Sequence, residues 1–518
     1  MNPLSKRTIV LALAVLAGTY PHAAPGQTVD RSSAQTSGFG FGARALGMGG
    51  AFIAIADDAS AISWNPGGLG QLLDRQVTLS GSVNSFETAD AGNQSLVDSS
   101  AGGRIRVLTD DTAFQGSEAG LDFAAVVLPV ALGSRSLVLS LSYLRDQRAI
   151  HGNQSLTHRF FTAPPGDNLE RPSLLQEVNV VSTGAGGLES YALGAATSFG
   201  DLSVGAGLSL HTGDIQLARE ERIRITNLVD ENGEPRSGIV SDYLMSEGSR
   251  WNVSGYSLNV GVLWKATPWL SLGAVYRGGW SSEEPYEVTY RMTGYDRTLI
   301  PDGRYFDLAL SATEPAKVRF PDAFGGGFAI RPIPPFTLAF DVTWTRWSEG
   351  VITNLPLVVR AGPRPECPPS CLEAVVADIS YPSEALASAD LQRDQLALRF
   401  GAEYVFRPGR LIFPLRAGVY RLPSIAPLYA DRISETGRSF DTDPETDFVG
   451  MTAGIGIVMP IGTSSRLLFD VAGIIERADS GWRQRVSLDT TPAEISLTST
   501  SDRSVTNRRL VASLIIYF

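Results

Sequence analysis

Cysteine is nearly missing from this chain, with two in 518 residues, so no disulfide framework holds it. Long apolar runs are missing as well. After the first 26 residues no stretch of about 18 uncharged apolar residues occurs, which excludes a helical membrane protein. Histidine is scarce, with four in the chain, and neither Gly-x-Ser-x-Gly nor His-Glu-x-x-His is present. No hydrolase elbow and no zinc-protease helix is therefore encoded, and no enzyme is expected. Positive charge is outweighed. A formal net charge of -11 argues against a nucleic-acid partner. Two patterns imitate ligand sites and fail. Gly47-Met48-Gly49-Gly50 has no βαβ unit around it, as a dinucleotide fingerprint requires. Asp441, Asp443, Glu445 and Asp447 alternate as in a calcium loop, but Thr446 and Thr452 stand where that loop needs Gly and Glu. Neither a metal nor a cofactor is expected.

What is present is export and alternation. Residues 1–26 read as a secretory signal, with Lys6 and Arg7 ahead of a short apolar stretch. Beyond residue 73 the period is two. Leu202, Val204, Ala206, Leu208 and Leu210 alternate with Ser203, Gly205, Gly207 and Ser209. Val449, Met451, Ala453, Ile455 and Ile457 alternate with Gly450, Thr452, Gly454 and Gly456. Alternation alone fits a soluble sandwich or a membrane barrel with its apolar face outward. Connection lengths decide between them. Fourteen candidate strands, from 74–86 to 503–518, are joined alternately by short turns and long loops. A barrel with periplasmic turns and outer loops has that rhythm. The expected fold is all-β, a fourteen-stranded antiparallel transmembrane β-barrel spanning 73–518.

Charged residues at inward positions follow from this assignment: Lys265, Arg277, Asp341, Arg399, Glu403, Arg416, Asp470 and Glu476. Facing lipid at mid-depth, Arg or Lys would cost about 2–4 kcal/mol each. They either pair with one another and anchor a plug, or Arg277, Arg399 and Arg416 meet a carboxylate headgroup in the lumen. Trp251, Trp264, Trp269, Trp280, Trp344 and Trp347 fall near strand ends, as interfacial girdles do. In the loop 350–392, Cys367-Pro-Pro-Ser-Cys371 is expected to close a small disulfide.

The stretch 38–69 departs from this pattern. It is too rich in glycine for a long helix and too apolar for a solvated linker. Short helical turns suit it, with Asp57 or Asp58 as N-cap and an end at Asn65, before Pro66. Its Gly-Ala-Arg-Ala-Leu-Gly-Met-Gly-Gly-Ala, Ala-Asp-Asp-Ala-Ser-Ala and Asn-Pro runs resemble the N-terminal hatch of the FadL-type family. These are outer-membrane transporters of long-chain fatty acids and hydrocarbons. The last strand, with Leu510, Ala512, Leu514, Ile516 and Phe518 on one face, resembles the signal read by the barrel-assembly machinery.

The resemblance implies a hatch at 27–72 inside the lumen of a Gram-negative outer-membrane barrel, surrounded by lipid and lipopolysaccharide. It implies hatch-gated passive uptake of hydrophobic molecules such as fatty acids or hydrocarbons. A secretion-associated or structural barrel of the same superfamily carries the same motif and stays open as an alternative. Gly47, Gly49, Gly50, Asp57, Asp58, Asn65 and Pro66 are the hatch or gating candidates. In this reading, Asp57 and Asp58 cap a helix or pair with lumen arginines.

Overall fold

The computed structural model describes residues 40–90, 94–99, 104–109, 112–132, 135–148, 151–163, 174–229, 235–296, 305–315, 318–349, 351–352, 394–423, 438–442, 447–461, 465–490 and 493–518. The expected signal, residues 27–39 of the expected hatch, and Cys367 and Cys371 lie outside them.

Fourteen strands form the wall: β1 (Gln76–Asp90), β2 (Thr112–Leu132), β3 (Arg135–Arg148), β4 (Leu174–Phe199), β5 (Leu202–Val229), β6 (Pro235–Thr267), β7 (Leu270–Arg277), β8 (Ala323–Ile333), β9 (Phe336–Thr345), β10 (Gln395–Phe406), β11 (Phe413–Pro423), β12 (Asp447–Ile461), β13 (Ser465–Thr490) and β14 (Ala493–Tyr517). Each pairs antiparallel with the next. The sheet closes on itself, β1 against β14, with Gln76 opposite Tyr517. Closure leaves no unpaired edge facing lipid. No described helix is long and apolar enough to cross a membrane.

The faces divide as the alternation requires. Ile455 is 53% exposed and Asp470 on the facing strand is 1% exposed. Leu208, Leu210, Phe400, Met451 and Ile475 point outward, while Asp341, Arg399, Glu403, Arg416 and Glu476 are buried within. Exposed aromatics make two belts. Phe199, Trp264, Trp269, Phe406 and Phe518 lie at the short-turn end. Tyr191, Tyr256, Tyr276, Phe324 and Trp344 lie further along the strands, the last three with adjacent rings. A band about 25 Å tall fits between such belts.

Three expectations need correction. Trp347 is buried, and Trp280 turns to the lumen side, where its ring stacks on His211; neither belongs to a belt. Lys265 is exposed beside the 268–269 turn, its N–H bonded to the Asp201 carbonyl, so it is not a lumen charge. Much of the expected outer loops 149–186 and 214–249 is strand. β4, β5 and β6 contain 26, 28 and 33 residues, whereas β7 to β11 contain 8 to 12. Crossing takes only about 9–11 residues. Above the bilayer both faces are wet, so the apolar alternation that reveals a strand is lost there although the ladder continues.

Residues 40–72 form an inner segment, nearly all of it buried. It contains α1 (Ala43–Gly47), α2 (Ala61–Trp64) and a 3-10 turn (Pro66–Gln71). Gly42 enters α1 at φ 98°. Gly49 and Gly50 leave it at φ 66° and 74°, left-handed angles that favour glycine. The Gly50 N–H closes the end on the Ala45 carbonyl at 3.0 Å. Met48, Phe52, Trp64 and Leu69 are fully buried, the rings of Phe52 and Trp64 meeting edge to face.

Candidate functional site: the seat of the inner segment

The two halves of the segment are held differently. α1 lies against β11 to β14, and the 3-10 turn lies against β3 to β6. Arg44 of α1 reaches Glu403 on β10 with two bonds of 2.9 Å, and also pairs with Asp57. Glu403 accepts from Arg416 as well, at 2.7 Å, and Arg416 donates on to Asp470. Charges buried in this way persist because each has hydrogen-bonded partners of opposite sign. Thr452 accepts from the Gly49 N–H and donates to the Gly47 carbonyl, both at 2.9 Å. Ser513 accepts from the Ala43 N–H at 2.8 Å.

Asp341 on β9 holds the middle of the segment. Its Oδ2 accepts the Phe52 N–H at 2.6 Å and the Ile53 N–H at 2.8 Å. The second half is seated mostly by neutral groups. The Asn65 amide donates to the carbonyls of Ile53 (2.8 Å) and Val262 (2.9 Å). Its Oδ1 accepts from the Gly67 N–H and so caps the 3-10 turn that Pro66 begins. Ser198 donates to the Gly70 carbonyl at 2.6 Å. Arg277 donates to the carbonyls of Ser63 and Trp64 at 3.0 and 3.2 Å, covering the C-terminal end of α2.

The wall is glycine where the segment touches it. A β-carbon at Gly205 would collide with the Pro66 carbonyl, at Gly261 with Asn65, at Gly401 with the Met48 carbonyl, and at Gly418 with Gly49. Gly49 has no spare room either, with the Phe400 carbonyl 2.9 Å from where its β-carbon would stand.

The candidate residues thus occupy one seat. Gly47, Gly49, Gly50, Asp57, Asp58, Asn65 and Pro66 line the segment, and Arg277 and Arg416 touch it or its anchors. Arg399 lies in the wall and donates to Thr343 at 2.8 Å. The expected capping differs. Ser60, not Asp57 or Asp58, occupies the N-cap of α2 without a side-chain cap bond. Asp58 accepts from the N–H and hydroxyl of Ser60 just ahead of that helix. Asp57 pairs with Arg44 of its own segment rather than with a wall arginine. Arg44, Thr452, Ser513 and the wall glycines were missed because alternation marks which way a residue faces, not what it meets.

Residues 14–419 match the family described as outer membrane protein transport protein (OMPP1/FadL/TodX). The chain belongs to this family. As a FadL/TodX-family member it is an outer-membrane transport protein and not an enzyme. A Pseudomonas aeruginosa FadL homologue is similar in fold at 15% identity and TM-score 0.51, over 92% of this chain and 99% of that one. The Pseudomonas putida toluene transporter TodX aligns at 14% identity and TM-score 0.42, over 91% and 98%. The Ralstonia pickettii toluene transporter TbuX aligns at 14% and 0.41, also over 91% and 98%. Among curated proteins none matches.

Proposed function

We propose that this family member takes up hydrophobic molecules, such as long-chain fatty acids or hydrocarbons, by passive diffusion gated by residues 27–72 acting as a hatch. The observation that supports this reading is the inner segment itself, which is buried inside the barrel and fastened to its wall at both halves. A water-filled bore would be a poor route for such cargo. Leaving water for an apolar surface is favourable by roughly 25 cal/mol per Å², a gain forfeited in an open aqueous channel. The cargo's path therefore runs along apolar surface and past a segment that yields. Arg277, Arg399 and Arg416 serve in this scheme as braces of the seat, since each already donates to protein. The aromatic-ended last strand is the part the barrel-assembly machinery reads, and lipopolysaccharide surrounds the outer rim.

A tether tests the gating. With Cys367 and Cys371 replaced by Ser, a disulfide between Ala43→Cys and Ser513→Cys fastens α1 to β14. Uptake of a labelled long-chain fatty acid by cells is expected to fall sharply when the bridge is oxidised and to recover on reduction. Undiminished uptake with the bridge intact removes movement of the hatch from the mechanism.

A further inference from the structure

A row of polar groups crosses four adjacent strands on the lumen side, away from the seat. Asp146 on β3 stands at a bulge, the pairing passing from Arg145 opposite Glu189 to Gln147 opposite Leu188. Its Oδ2 accepts from the Ser190 hydroxyl at 3.1 Å and lies 3.8 Å from His211 Nδ1. His211 Nε2 meets the Ser257 hydroxyl at 2.8 Å. His211 and Ser257 are buried, and His211 Nδ1 makes no hydrogen bond. The surroundings are apolar, with Leu144, Leu188 and Val253 buried nearby. A polar nitrogen left unbonded in such a place is costly unless something fills it.

The roof over this row is aromatic and stands on a small sheet of its own, in which 280–282 pairs with 318–320 and 318–319 with 351–352. Trp280 stacks on the imidazole with centroids 4.4 Å apart and planes 4° apart, and its other neighbour, Phe320, is also at 4.4 Å. Trp280 lies over Gly255, where any β-carbon would strike its ring. The strand that carries it leaves the wall. The ladder between β6 and β7 ends at Arg277 opposite Asn259, and β6 is paired on this side again only by a further strand, Pro285–Asp296, from Tyr286 opposite Trp251. Between them, the described backbone bond across the seam is that of the Gly278 N–H to Leu258, at 2.9 Å. Ser254 completes the crossing, its N–H donating to the Ser282 hydroxyl and its own hydroxyl donating to Glu284. Asp322 pins the base of this departure by accepting from the Gly279 N–H and the Tyr276 hydroxyl, which hold its carboxyl below the usual range. Trp280 is thus held by this small sheet and by the Gly278–Gly279 bend that joins it to β7.

We propose that the Asp146–His211–Ser257 row, under the Trp280 roof, seats the hydroxyl of an otherwise apolar ligand such as a phenol or an alcohol. The chemistry selects that class. The open imidazole nitrogen and the carboxylate beside it suit a group that both donates and accepts. The same carboxylate repels an ionised acid, and the ring stack suits a flat apolar body. This deepens the uptake reading and rests on it.

The test compares p-cresol with toluene, which differ by one hydroxyl, in calorimetric titration of the full-length protein in detergent. His211→Phe keeps an aromatic ring for the stack and removes the hydrogen bonds; Ser257→Ala is the milder companion. His211→Phe is expected to weaken p-cresol binding about tenfold and to leave toluene binding unchanged, with Ser257→Ala in the same direction. Equal loss for both ligands, or no loss for either, overturns the seat while the uptake reading stands. Failure of the unaltered protein to bind p-cresol also overturns the seat, whereas the uptake reading falls only if cells carrying the protein take up neither labelled fatty acid nor toluene faster than cells without it. Heat-modified migration on gels confirms that each variant folds.

Discussion

The first half of the inner segment is held chiefly by a buried ion network and the second half chiefly by neutral groups, with Arg277 on two of its carbonyls, and the two holds let go differently. When Arg44 leaves, Glu403 and Asp470 still have Arg416, so no bare carboxylate stays behind in the wall. The charge that departs takes Asp57 with it. Departure of the second half instead strips Arg277 of the Ser63 and Trp64 carbonyls. If Asn65 leaves, the carbonyl of Val262 loses its amide donor, and the glycine hollows at Gly205 and Gly261 stand empty. Buried voids and unmet carbonyls have no second partner to fall back on. The ionic half is a clasp and the neutral half a root. Movement during transport is therefore expected to begin at α1.

The largest effect should come from Gly261→Val, which drives a branched side chain into the place of Asn65. A loss above about 4 kcal/mol in seating is expected, read as protease cleavage within 40–72 and as larger conductance in planar bilayers. A protected segment in this variant would show that the root is not rigid. Next, Glu403→Gln removes the carboxylate shared by Arg44 and Arg416. Breaking a buried pair on one side costs about 3–5 kcal/mol, so cleavage near α1 should rise while sites past Asn65 stay shielded. Cleavage spread evenly over both halves would erase the distinction between them.

Ile455→Arg tests the outward side of the ionic half. On β12 it faces lipid, and folding into vesicles should weaken by about 2–4 kcal/mol. Unimpaired folding would reverse the face assignment. The neighbouring inward position is no simple control, because a β-carbon at Gly456 would run into Asp470. Asn65→Ala should cost about 1–3 kcal/mol of seating and loosen the second half only. The smallest effect belongs to Cys367→Ser. A disulfide to Cys371 closes a small ring, so barrel stability should change by less than about 0.5 kcal/mol. Mass spectrometry of the exported, unreduced chain should show neither thiol available for labelling; two labelled thiols would reject the bridge.

Sequence alone showed the wall well and the seat poorly, for one physical reason. Lipid imposes a uniform demand, so Leu208, Phe400 and Ile455 repeat the same message with period two. The lumen imposes a local demand at each position. Asp341 and Asp470 look alike in the alternation, yet one takes two backbone N–H groups and the other an arginine. Gly205, Gly401 and Gly418 read as small lumen residues, and only the fold discloses that each fits the backbone of a segment more than a hundred residues away. Arg44 was hidden differently. It stands inside the motif that carried the family resemblance, where no period of two shows which wall residue it meets.

The unequal strand lengths have a consequence for where cargo first touches the protein. At about 3.3 Å per residue and a tilt near 40°, the 33 residues of β6 rise roughly 80 Å, against a hydrocarbon band of about 25 Å. β7 to β11 stop near the band itself. The described wall is therefore uneven, tall at β4 to β6 and again at β13 and β14, with 26 and 25 residues, and low at β7 to β11. A greasy molecule arriving from outside is expected to touch these tall strands well before it reaches the membrane.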